Sequence, residues 1–308
     1  MSIRIDSLTI VYGNHVAVDG LSIDIPSGTV GLLGRNGAGK SSILRASLGL
    51  VRPVAGYVQV LDLPPGLSGP ETRARIGYMP ERDAHLPAMT GFEMVAMLGM
   101  LTGMRRRDAW RRSHEVLYLV GLEEQRYRVV GGYSAGMRQK VKLAAALVHD
   151  PGVMFLDEPT NGLDPQGRAE MLELVRELGR DLGKSVVFST HILQDVEDVC
   201  DSVIVLDRGR VVAQGRLAEL TGRAGRDYEV RIDPSSLQLD PSLFPGGTVS
   251  RAEGGAHLLT LPEGSDPSRL FAAVRAAGGV VRGLVAKRRT LEDVFFHAIG
   301  GRAGAGAP

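Results

Sequence analysis

Apolar and polar residues alternate with a period of two over residues 2–8 and 21–25, which predicts two half-buried strands. A turn at Pro26-Ser27-Gly28 leads into an unbroken apolar run at 30–33, the pattern of a strand covered on both faces. Glycines follow, and from Lys40 to Leu50 the apolar spacing becomes helical. Further apolar runs at 76–79, 153–156, 186–188 and 203–206 predict more buried strands, most of them separated by helical patterns. Such alternation predicts an α/β fold with a largely parallel sheet covered on both faces. Between Thr90 and His149 the alternation stops, and roughly three helical stretches without a strand predict an all-helical insertion over about 88–150.

Beyond Leu220 the pattern changes again. Short strands are expected at 228–232, 248–251, 257–261 and 280–285, with helices at 267–277 and 290–299. This reads as a small α+β module over 225–299, set off from a first domain over 1–224 by a linker at Gly222 to Arg226. The Gly/Ala-rich tail over 300–308 is expected to be disordered.

Composition excludes several classes. The 308 residues are 44% hydrophobic and 23% charged, an ordinary globular mixture rather than a disordered one. Lys plus Arg number 36 against 35 for Asp plus Glu, so no global positive field favours nucleic acid, and no nucleic-acid partner is expected. Cys200 is the sole cysteine, which rules out an internal disulfide or a multi-Cys zinc site and suits a reducing compartment. The first ten residues lack the apolar core of a secretory leader. The longest apolar stretch, at 92–101, falls short of the roughly 20 residues that span a bilayer.

Candidate chemistry begins at Gly34-Arg35-Asn36-Gly37-Ala38-Gly39-Lys40-Ser41, placed between a predicted strand and a predicted helix. Glycines let the backbone curl so that successive N–H groups face phosphate oxygens at a positive helix end. Gly34, Asn36, Gly37, Ala38, Gly39 and Ser42 are expected to line that nucleotide-phosphate site, with Lys40 on the β- and γ-phosphates and Ser41 on Mg²⁺. A second element, Val153-Met154-Phe155-Leu156-Asp157-Glu158, delivers two carboxylates to the C-terminal end of a buried strand, where ligands sit in open parallel sheets. Asp157 is the candidate metal residue, and Glu158 the candidate base for an attacking water.

Tyr133-Ser134-Ala135-Gly136-Met137-Arg138-Gln139-Lys140, just upstream of that strand, resembles the signature of ATP-binding-cassette (ABC) ATPases. The resemblance implies a RecA-like P-loop core with an antiparallel β subdomain, ATP and Mg²⁺ as ligands, and ATP hydrolysis. It also implies that Ser134 and Gly136 of one subunit complete the ATP site of its twin, giving an ATP-sandwich homodimer. Further positions match the family in order. Tyr12 resembles the residue that stacks on adenine. Asp164, in Asn161-Gly162-Leu163-Asp164, resembles the loop that crosses the dimer, and equally reads as an N-cap before Pro165. His191, in Ser189-Thr190-His191, resembles the switch histidine on the γ-phosphate. Glu81 stands where the family has a glutamine that senses Mg²⁺ and the permease; it can accept from a metal-bound water but cannot donate as an amide does. Ala135 and Tyr133 depart from the usual Gly and Leu.

Such proteins work on the cytoplasmic face of the membrane through a separate transmembrane permease. Thr290-Leu291-Glu292-Asp293-Val294-Phe295-Phe296 is similar to the ending of the branch that serves exporters of drugs, antibiotics, lipids or polysaccharides. A soluble ABC ATPase acting on ribosomes or nucleic acid is the competing class, but its usual second cassette and zinc cysteines are missing from this sequence. Two further patterns read more simply: Met94, Met97, Met100 and Met104 share a helical face best explained by packing, and Arg105, Arg106, Arg107, Arg111 and Arg112 by a solvated helix turn.

Overall fold

A computed structural model describes residues 3–61, 63, 69–82, 84–221, 227–233, 247–251, 256–261, 265–266, 268–287, 290–292 and 294–295. The predicted linker, the tail and the last part of the final helix lie outside these residues. The described chain forms two compact units, one ending at Leu217 and the other beginning at Ala218.

The first unit holds two sheets. Strands β1 (Ile3–Tyr12), β2 (His15–Ile25) and β4 (Ala55–Val60) make an antiparallel sheet in the order β2-β1-β4. Apolar residues on its inner face, among them Ile3, Ile5, Leu8, Ile10, Leu21 and Ile23, pack into the main core. The period-two pattern of β1 and β2 therefore serves one dry face and one wet face. The second sheet has the order β5-β6-β7-β3-β8-β9 and is parallel except for its last edge strand. It comprises β3 (Thr29–Gly34), β5 (Ile76–Met79), β6 (Val153–Asp157), β7 (Ser185–Thr190), β8 (Ser202–Asp207) and β9 (Arg210–Arg216). Strands β3 and β6 are buried along their full length, which is why they read as apolar runs rather than alternations. Phe155 and Phe188 are fully buried here, each worth about 1.5–3 kcal/mol of apolar burial.

Helices α1 (Lys40–Ser47), α2 (Pro70–Ala74), α6 (Pro165–Arg180) and α7 (Leu193–Val199) belong to this unit as well. The insertion after β5 is helical as expected: α3 (Gly91–Leu101), α4 (Arg106–Leu119) and α5 (Ala135–Leu147), with two short 3₁₀ turns between α4 and α5. A capping box starts α3: Thr90 accepts from the Glu93 N–H, while the Glu93 carboxylate takes the Thr90 N–H and is held below the usual carboxylate range by it. Met94 is buried and Met100 exposed, so the methionines do not form one open groove. Arg111 and Arg112 pair with Glu115, and Arg106 lies over the Trp110 ring, as suits a solvated helix face.

Two strands escaped the sequence pattern. β4 is only half-buried and bends at Gly56, whose φ of +76° and close approach to the Asp6 and Ser7 carbonyls leave no room for a Cβ. β9 is an edge strand of intermediate burial, reached through a tight turn at Arg208-Gly209, both with positive φ.

The second unit has an antiparallel sheet in the order β11-β12-β10-β13, from β10 (Asp227–Asp233), β11 (Thr248–Arg251), β12 (His257–Thr260) and β13 (Val280–Lys287). Helix α8 (Arg269–Ala276) supplies Leu270 and Val274 to a core with Val230, Ile232, Leu259 and Leu261.

Candidate active site

The ends of β3, β6 and β7, adjacent in the sheet, carry the candidate chemistry. β3 runs into the glycine-rich loop, where Gly37 and Gly39 take φ of +84° and +101°. Residues with a Cβ are strained there, and a Cβ on Gly39 would also lie 2.7 Å from the Ala17 carbonyl oxygen. The Ala38 N–H donates to the Arg35 carbonyl at 3.0 Å, closing the turn ahead of α1. Lys40, the first residue of α1, is buried; its Nζ donates to the Gly34 carbonyl at 2.6 Å and lies 3.1 Å from Glu158 Oε1.

Asp157, the last residue of β6, is fully buried. Its Oδ1 accepts from the Ser41 hydroxyl at 3.0 Å and the Ser189 hydroxyl at 2.7 Å, and its Oδ2 from the Tyr78 hydroxyl at 3.4 Å. Burial, reinforced by the Asp157 charge, pushes the Tyr78 phenol above its ordinary range, so it remains a donor. Glu158 follows with a φ of +49°, a left-handed conformation held by hydrogen bonds from its N–H to Ser189 O and Oγ, both 3.1 Å. That turn aims its carboxylate between two partners. Oε1 faces Lys40, and Oε2 lies 2.9 Å from His191 Nδ1. Lys40, Glu158 and His191 thus form one connected row.

Tyr12, residues 36–42, Glu81 and Glu158 line a cleft of about 370 Å³ over the loop. Tyr12, on the lining of this cleft, is 43% exposed, so part of its ring is accessible. Ser41 Oγ and Asp157 Oδ1, 3.0 Å apart, are the hard oxygen donors that Mg²⁺ prefers, so the residues present fit that ion. Glu81 is exposed, and its Oε1 accepts from Asn161 Nδ2 at 3.5 Å. The Glu81 backbone is tied to the helical insertion, because the buried Lys142 of α5 donates to the carbonyls of Pro80 and Glu81 at 3.0 and 3.1 Å.

Ser134, Gly136 and Asp164 lie elsewhere. Ser134 is exposed and caps α5, accepting from the Met137 N–H at 3.2 Å. Asp164 caps α6 ahead of Pro165, accepting from the Gly167 N–H at 3.0 Å. With Gly136 they line a second cleft of about 530 Å³ that shares no described residue with the first. One chain therefore brings together Lys40, Ser41, Asp157, Glu158 and His191, and leaves the signature residues apart.

A family model described as ABC transporter matches residues 18–161. An uncharacterized ABC transporter ATP-binding protein of Bacillus subtilis is 39% identical over 300 residues, covering 96% of this chain and 99% of that protein. A daunorubicin resistance ATP-binding protein of Streptomyces coeruleorubidus is 36% identical over 310 residues, covering 97% and 96%. The chain belongs to the ABC transporter ATP-binding proteins. Among solved structures, a dimeric post-hydrolysis ATP-binding cassette bound to ADP and Pi aligns with a TM-score of 0.63 and 25% identity, over 70% of this chain and 99% of that one. This ABC subunit binds and hydrolyses ATP, on the RecA-like fold that its signature implies.

At the Tyr133 departure from the ABC signature, the phenol is buried and donates to the Gln125 carbonyl at 2.7 Å. It lies against Gly91, where any Cβ would overlap the hydroxyl. Gly91→Ala is expected to cost about 1–3 kcal/mol in urea unfolding through overpacking. The penalty should largely vanish in the Tyr133→Leu background, because only the phenol crowds the position.

Several buried polar side chains of this ABC subunit among the described residues are not marked by the sequence pattern. Lys142 and Ser189 are two of them. Asp195, on α7, accepts from the Thr160 hydroxyl and from Arg168 Nε, each at 2.6 Å, and so anchors the loop between Glu158 and Asp164. The available signal was an acid sharing the buried face of α7 with Val196 and Val199. Buried carboxylates persist only when paired, which makes such a residue worth noting in any amphipathic helix.

Proposed function

We propose that two copies of this ABC subunit close around two ATP molecules and drive a separate transmembrane permease. The carrying observation is the separation of the glycine-loop cleft from the Ser134 cleft within one chain. A γ-phosphate bound at Lys40 meets Ser134 and Gly136 only if a second copy presents them. The dimeric state of the ADP- and Pi-bound cassette supports this arrangement.

In this reading Tyr12 stacks on adenine, and residues 34 and 36–42 wrap the phosphates, with Lys40 neutralising the β- and γ-oxygens. Mg²⁺, held by Ser41 and Asp157 with Glu81 on its water shell, would supply further charge neutralisation. Glu158 orients the attacking water and accepts its proton, while His191 hydrogen-bonds the γ-phosphate and steadies Glu158 through the contact at Nδ1. Asp164 lies on the segment that crosses to the twin. Positioning and charge neutralisation supply most of the rate. Closure moves the helical insertion, and the Lys142 tie carries that movement to the Glu81 loop, the proposed contact with the permease.

No helix among the described residues is long and apolar enough to cross a membrane. The reading therefore gives the spanning role to the permease and places this subunit on its cytoplasmic face. Export of a drug, antibiotic, lipid or polysaccharide is supported by the daunorubicin resistance relative. Co-expression with candidate permeases tests the assignment. The subunit is expected to pellet with membranes only when its permease is present, and ATP turnover in those membranes to fall with Glu158→Gln. Sedimentation with ribosomes or DNA instead would transfer the protein to the soluble ABC class.

A further inference from the structure

β7 is apolar through Val186, Val187 and Phe188 and then buries two hydroxyl residues, Ser189 and Thr190, with no exposed surface at either. A hydroxyl in such a place needs partners, and those of Ser189 are specific. Ser189 stands directly opposite Asp157 in the parallel β6–β7 pairing. Its Oγ is 2.7 Å from Asp157 Oδ1 and 3.1 Å from the Glu158 nitrogen. The directions of both bonds are forced: a carboxylate can only accept and a backbone N–H can only donate. The single proton of Ser189 therefore goes to Asp157, and a lone pair takes the Glu158 N–H.

We propose that Ser189 is a positioning residue that ties the Asp157 carboxylate to the backbone turn that carries Glu158. The proposal rests on the reading of Asp157 as the Mg²⁺ residue and Glu158 as the base. Two consequences distinguish it from ordinary packing. First, Asp157 Oδ1 is shared by the Ser41 and Ser189 hydroxyls. With Ser189 holding that oxygen, Asp157 keeps its orientation whichever way the Ser41 proton turns, so Ser41 can offer a lone pair to the ion. Second, Glu158 occupies a left-handed φ of +49°, and the Ser189 hydroxyl is one of the two acceptors that stabilise that turn.

Residues that orient a metal ligand typically change metal affinity or activity about 10–100-fold when lost. Ser189→Ala is therefore expected to weaken Mn²⁺ binding in the presence of a non-hydrolysable ATP analogue, read by electron paramagnetic resonance of free Mn²⁺, by about tenfold. Its kcat at saturating Mg²⁺ should also fall by about tenfold. The KM for ATP at that Mg²⁺ level should stay near wild type, and the melting temperature should fall by only a few degrees. Ser189→Thr, which keeps the hydroxyl, is expected to restore the Mn²⁺ affinity. Unchanged Mn²⁺ affinity in Ser189→Ala overturns the proposal, as does a natively melting Ser189→Thr that binds Mn²⁺ no better than Ser189→Ala. Asp157→Asn separates the two levels of the argument. If it weakens Mn²⁺ binding while Ser189→Ala does not, only the role of Ser189 falls. If neither variant does, the assignment of Asp157 falls with it.

Discussion

Glu158→Gln is expected to bind ATP with near wild-type affinity and to turn it over at least about a hundredfold more slowly. The substitution keeps the shape of the side chain and its contacts with Lys40 and His191 can be partly remade, but the amide is a far weaker base. If hydrolysis reopens the pair as proposed, the ATP-bound dimer should outlive size-exclusion chromatography in this variant, whereas the wild type should elute as a monomer once its ATP is spent. Phosphate release measured beside the chromatogram checks both halves. Unimpaired turnover would remove Glu158 from the chemistry.

Mixing two inactive variants should regenerate activity. Lys40→Ala removes the cation of the glycine-loop cleft, and Gly136→Glu puts a carboxylate into the cleft beside Ser134. Each homodimer has two defective sites. In a mixed dimer, one site combines both lesions, while the other joins an intact Lys40 to an intact Gly136. Random pairing makes half of the dimers mixed, each with one whole site, so about a quarter of wild-type turnover should return. Silence of the mixture, with mixed dimers demonstrated by native mass spectrometry, would mean that the two clefts do not complete each other. Turnover by Gly136→Glu alone at wild-type rate would lead to the same conclusion.

Legibility differed sharply between kinds of feature. The buried parallel strands were readable because a strand covered on both faces must be largely apolar, as β3 and β6 are apart from Thr29 and the Asp157 that ends β6. β4 and β9 were not, because half-buried and edge strands mix polar and apolar residues without a clean period. Asp164 carried two expectations, and its N-cap geometry is present while its place in a dimer is left to the proposal above. Tyr133 read as a simple departure from the ABC pattern, and only Gly91, far back in the sequence, explains how the extra hydroxyl fits.

From sequence alone came several features that depend on consecutive residues: the glycine loop that curls before α1, the acids that end an apolar strand, the Asp164 cap, and the family these compose. Those devices are local, since a positive φ, a cap or a buried run is decided within a few residues. Tertiary structure alone decided which strand ends are neighbours. It thereby set Lys40 against Glu158, Glu158 against His191 and Ser189 between the two acids, and kept the Ser134 cleft away from the glycine loop. The physical reason is the order of the parallel sheet: crossovers place β3, β6 and β7 side by side although more than a hundred residues separate Ser41 from Asp157, and no local pattern encodes that adjacency.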